Sequence, residues 1–122
     1  MKKLGLSEFA VELGEEVELT ISSFNISDLP IIIYLDGDPV EPHNRFANTT
    51  SYKFQIAKPV GEFQQVLVQL PDTGFQNAEY KLELFGAGES IEHQLIRPAD
   101  RQSFGNLIYT FSTHGAGGGS NK

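Results

Sequence analysis

The carboxylates of Asp36, Asp38 and Glu41 are the first residues whose type and spacing suggest chemistry. They surround Gly37, and hard oxygen ligands around a glycine turn suit calcium. An EF-hand loop needs a third ligand two residues on and a glutamate at its twelfth position, and Pro39 and Val40 supply neither. A hairpin tip calls for Asp and Gly in any case. The segment therefore reads either as a turn or as a calcium- or ligand-binding loop. His43, His93 and His114 lie far apart, without the His-x-x-x-His or Glu-x-x-His spacing of zinc ligands. His93 shares the phase of Ile91 and Leu95, which predicts a half-buried packing residue. A nucleophilic elbow is missing, because Gly88-Glu89-Ser90 is followed by Ile91-Glu92 rather than by glycine. The adjacent Glu15 and Glu16 fall at a strand start, whereas glycosidase carboxylates face one another across a cleft. The glycine-rich end lacks the Lys-Ser/Thr of a phosphate loop. Enzyme activity is accordingly the third choice, behind binding.

Interface chemistry is better represented. Arg45 and Phe46 sit in the segment 42–48, and Arg101 and Phe104 in the segment 98–104. Arginine beside an aromatic residue is the composition of binding anchors, and these four are the candidate partner-binding residues. Phe46 and Phe104 would serve equally well as plugs at the ends of a sandwich. Two sequons, Asn25-Ile26-Ser27 and Asn48-Thr49-Thr50, place asparagine where turns are also expected.

Charge narrows the partners. The net charge is −7, and Leu4 to Pro42 holds nine acidic residues and neither lysine nor arginine. Such a surface repels phosphate backbones and anionic lipid, so nucleic acid and membrane are not expected partners. Cysteine is absent, which removes disulfide frameworks, thiol catalysis and zinc fingers. Met1-Lys2-Lys3 begins like a secretory signal, but Glu8 and Glu12 interrupt the apolar stretch that should follow. The longest apolar run, Ile31 to Leu35, is far below the ~20 residues of a membrane helix. The chain reads as cytoplasmic as written, or as a fragment of a surface or virion protein.

The elements that must position these residues are strands. Phe9, Val11 and Leu13 alternate with polar neighbours, as do Val17, Leu19 and Ile21. The same period of two recurs at Tyr52–Ile56, Val66–Leu70, Tyr80–Leu84, Ile91–Leu95 and Leu107–Phe111. Ile31–Leu35 is apolar throughout and predicts a central strand covered on both faces. About eight strands at roughly ten-residue spacing, with no helical period, predict an all-β antiparallel two-sheet sandwich. The expected core is Val11, Val17, Leu19, Ile21, Ile33, Phe54, Val66, Val68, Tyr80, Leu82, Leu84 and Tyr109. One domain over 1–114 is expected, followed by a flexible Gly-rich tail at 115–122.

The succession Gly14-Glu15-Glu16-Val17-Glu18-Leu19-Thr20-Ile21, Asn25, then Tyr34-Leu35-Asp36-Gly37-Asp38-Pro39-Val40 resembles the first half of bacterial immunoglobulin-like adhesion repeats. Gly61-Glu62-Phe63 with Val66-Leu67-Val68 is similar to a later strand of those domains, so the resemblance covers residues 9–70. In a second register, Ala78-Glu79-Tyr80-Lys81-Leu82 resembles the tyrosine corner at the start of strand F. Both registers imply an immunoglobulin-like or fibronectin-III-like sandwich. Such a module would be non-catalytic and would bind a protein or surface polymer within a larger surface or virion assembly, without a resident cofactor.

Overall fold

The computed structural model describes residues 1–24, 31–70, 79–86, 89–97 and 105–114. Arg101, Phe104, the Asn25 sequon and the tail at 115–122 lie outside the described residues. Eleven strands are present among the described residues, and no helix. They are β1 (Lys2–Gly5), β2 (Glu8–Glu12), β3 (Glu16–Phe24), β4 (Ile32–Leu35), β5 (Asp38–Pro39), β6 (Asn44–Phe46), β7 (Thr49–Gln55), β8 (Phe63–Leu70), β9 (Glu79–Gly86), β10 (Glu89–Ile96) and β11 (Gly105–His114). The three beyond the expected eight are β1, β5 and β6, all short and at sheet edges. Four residues or fewer carry too little alternation to show in the sequence.

Two sheets pack face to face. One has six strands in the order β1-β2-β11-β8-β4-β5, the other five in the order β10-β9-β3-β7-β6. All pairings among the described strands are antiparallel except one: β2 runs parallel to β11, with Phe9 beside Phe111 and Val11 beside Thr113. The expected all-antiparallel arrangement is corrected at that seam. Tyr80 belongs to β9, between β3 and β10, whereas the strand that follows Gly61 is β8, between β4 and β11.

Every residue of the expected core is buried, and Phe9, Tyr52, Ile56, Leu70, Ile96 and Phe111 join it. Two predictions fail for local reasons. Leu13 is exposed, since the chain has left β2 and turns at Gly14, whose φ is +86°. His93 is exposed as well, because a bulge between Ser90 and Glu92 resets the phase of β10. Ile91 still packs on the core, but beyond the bulge Gln94 and Ile96 lie opposite the buried Leu82 and Tyr80. His93 then faces outward beside Glu83, because side chains alternate along a strand.

Two polar side chains inside the sandwich have partners, whereas the hydroxyl of buried Thr113 has no hydrogen-bond partner among the described residues. Gln64 is buried on β8, and its Oε1 accepts from Ala57 N at 2.8 Å and from Lys58 N at 3.3 Å. Tyr109 on β11 donates its hydroxyl to Gln94 Oε1 on β10 at 2.9 Å, tying one sheet to the other. Burial, with a smaller push from the Glu92 charge, holds the Tyr109 phenol far above its ordinary value near 10. Unfolded, the same phenol ionises near pH 10, so its stabilising effect is complete below that pH and is lost as the pH climbs above it. Alkaline titration should therefore lower the unfolding free energy by up to about 1.4 kcal/mol per pH unit above 10 from this group. Tyr52, raised by burial and by Glu41 against the opposing Arg45, adds to the same slope. Tyr109→Phe should remove the Tyr109 share and cost about 1–2 kcal/mol at neutral pH, where Gln94 loses its donor. An unchanged alkaline slope in the variant would contradict the assignment.

Candidate functional site

The acidic loop is a turn that caps a neighbouring strand. β4 and β5 are joined by Asp36 and Gly37, with φ of 51° and 88°, the two consecutive left-handed residues of a type I′ hairpin. Asp36 Oδ1 accepts from Gln65 N at 3.0 Å, and Asp36 N donates to Gln65 O at 2.9 Å. One carboxylate oxygen is thus engaged with β8. Asp36, Asp38 and Glu41 are all exposed. Among the described residues no three of His, Cys, Asp or Glu stand close enough to hold a metal ion. Asp36→Ala should cost about 1–2 kcal/mol in urea unfolding, through the lost acceptor and an alanine at positive φ. Asp36→Asn keeps both features and should cost less than half as much, and equal losses would show that the cap contributes nothing.

Segment 42–48 holds the edge strand β6 rather than an open loop. Asn44, Arg45 and Phe46 pair with Ser51, Thr50 and Thr49 of β7. Alternation then separates the two expected anchors. Phe46 lies opposite Thr49, whose hydroxyl meets Ser22 Oγ at 3.1 Å on the outer face, and it is 80% exposed. Arg45 lies opposite Thr50, which pairs with the core residue Ile21, and its charge reaches the buried Tyr52 hydroxyl. The pair does not form one anchor patch. The Asn48 side-chain nitrogen, the atom a glycan would need, is donated to Ser23 O at 2.6 Å.

The two outer sheet faces differ in chemistry. That of the five-stranded sheet carries Glu16, Glu18, Lys53, Lys81, Glu83 and His93, with Phe24, Phe46, Phe85 and Leu95 scattered among them, between hydroxyl pairs such as Thr20–Ser51. The six-stranded sheet presents Ile32 and Tyr34 from β4, and Phe63, Gln65, Leu67 and Gln69 from β8. From β11 it presents Asn106, Ile108, Thr110 and Ser112. None of these ten, on three adjacent strands, is charged in a chain with 25 charged residues, and the outward Glu8 and Glu12 of this sheet lie on the next strand, β2. Register places Tyr34 and Ile108 directly beside Leu67, one on each side, in a row across three strands. Gln65 and Gln69 flank the row along β8. Tyr34, Asp36, Gly37, Gln65, Leu67, Gln69 and Ile108 line a groove of about 480 Å³. Ile32, Phe63 and Ile108 are 41, 55 and 49% exposed.

This face is not among the candidate sites read from the sequence, which are the 36–41 loop and the segments 42–48 and 98–104. The signal is nonetheless present in the sequence. Ile31–Leu35, Val66-Leu67-Val68 and Leu107-Ile108-Tyr109 each place an apolar residue at the outward phase, and those three strands are neighbours. The apolar run Ile31–Leu35 is therefore not covered on both faces: only Ile33 is fully buried, and Ile32 and Tyr34 look outward onto the groove. No protein-family model, curated protein or solved structure matches the chain.

Proposed function

We propose that the chain is a non-catalytic binding module, an immunoglobulin-like sandwich that engages its partner through the outer face of the six-stranded sheet. The observation that carries this reading is the uncharged strip of β4, β8 and β11, centred on Tyr34, Leu67 and Ile108. Ile108 is half-exposed and Tyr34 and Leu67 partly so, and apolar side chains aligned in one row and rimmed by amides are a usual make-up of a recognition surface. An immunoglobulin-like register is supported by the parallel seam of β2 and β11 and by the position of β8 between β11 and β4. Membership of a larger surface or virion assembly rests on the resemblance of residues 9–70 to adhesion repeats. The absence of catalysis is supported by the three exposed histidines, His43 between β5 and β6, His93 on β10 and His114 at the end of β11.

The test is an amide chemical-shift map of the protein titrated with small uncharged fragments such as phenol, cyclohexanol and acetamide. Shifts should cluster on β4, β8 and β11. Clustering on β6 around Phe46, or on the charged face of β3, β7 and β9, would contradict the proposal.

A further inference from the structure

We propose that the strip on β4, β8 and β11 binds a single chain of an uncharged polysaccharide, an inference that rests on this face being the binding surface. Its dimensions argue first. Strands about 4.8 Å apart with a rise of about 3.3 Å per residue, eight residues along β8 and β11 and four along β4, fit inside a strip of about 14 by 26 Å. That is under about 400 Å², half of the ~800 Å² that each partner commits to a standard protein interface. A folded partner or a second copy is poorly matched to it, whereas one extended polymer chain is well matched.

Backbone availability argues next. β8 is hydrogen-bonded to β4 on one side and to β11 on the other, so a ligand on this face meets side chains alone. Recognition of an extended peptide by strand addition requires a free edge, which the centre of this sheet does not offer. The side chains supply complementary chemistry. Phe63, Gln65, Leu67 and Gln69 alternate apolar and amide groups about 6.6 Å apart along β8, with Tyr34 and Ile108 on either side of Leu67. A pyranose ring presents apolar C–H faces and a rim of hydroxyls. The rings and aliphatic groups take the former, and amides that both donate and accept take the latter. Charge completes the argument. With Asp36 at one margin, Glu8 opposite Thr110 at another and a net charge of −7, an anionic polymer is repelled.

The experiment titrates the isotope-labelled full chain with cellohexaose, xylohexaose, chitohexaose and maltohexaose, and separately with hexagalacturonate and decaproline. At least one uncharged hexamer should shift the amides of β4, β8 and β11, more tightly than its trimer does. Tyr34→Ala and Gln65→Ala should each weaken that binding about tenfold, the loss of one good contact. Tighter binding of hexagalacturonate or decaproline to the strip would overturn the proposal. So would silence from every uncharged hexamer at about 5 mM, the limit of weak recognition. If small fragments still map to the strip in that case, the binding face stands and only the saccharide falls. If the fragments map elsewhere, both fall.

Discussion

Replacing Phe111 with alanine should remove about 3–5 kcal/mol of stability, the range for deleting a buried aromatic ring. Phe111 is fully buried on β11. Its ring stacks 5.5 Å from Phe9 on the parallel neighbour β2 and meets Phe54, on the opposite sheet, edge-on at 5.7 Å. One side chain therefore joins the parallel seam to the facing sheet, and truncation opens a cavity where three elements meet. Leucine refills most of the volume, and Phe111→Leu should cost no more than about 1.5 kcal/mol. Urea unfolding of both variants decides the point. A loss under about 1 kcal/mol for Phe111→Ala would show that the seam packs differently.

Truncating Leu82 or Leu19 should cost about 2–5 kcal/mol each. Both are wholly buried, Leu19 on β3 opposite Leu84 and Leu82 on β9 opposite Ile21, so they are diagonal neighbours on the inner face of one sheet. Cavities that merge are not independent, and the double variant should depart from the sum of the singles by more than about 0.5 kcal/mol. Additive losses would place the two side chains apart and contradict the register of β3 with β9.

These two sites differ in how readable they are from sequence. Leu19 and Leu82 stand in strands of clean period two, and alternation alone marks them as core. Phe111 stands in an equally regular strand, but its weight comes from a parallel neighbour 102 positions away, and no local pattern reports a partner at that distance. Bulges and short edges defeat alternation in another way. One extra residue after Ser90 moved His93 from the expected inner face to the surface, and a three-residue strand turned the 42–48 loop into an edge on which Arg45 and Phe46 part company. The proposed binding face needed topology most of all. Outward Tyr34, Leu67 and Ile108 are single unremarkable residues in three separated strands, and only register sets them side by side.

Leu67 sits at the middle of that row, half-buried and pointing outward, which makes it the most direct probe of the proposed binding face. Leu67→Glu introduces one charge into the uncharged strip while the inner face of β8 is untouched, and it should cost no more than about 1 kcal/mol of stability. The decisive measurement compares fragment-induced amide shifts in the wild-type protein and in this variant under identical conditions. Loss of the shifts on β4, β8 and β11, with the rest of the spectrum preserved, is the predicted result. Shifts of the same size at the same amides in both proteins would contradict the assignment of this face as the binding surface.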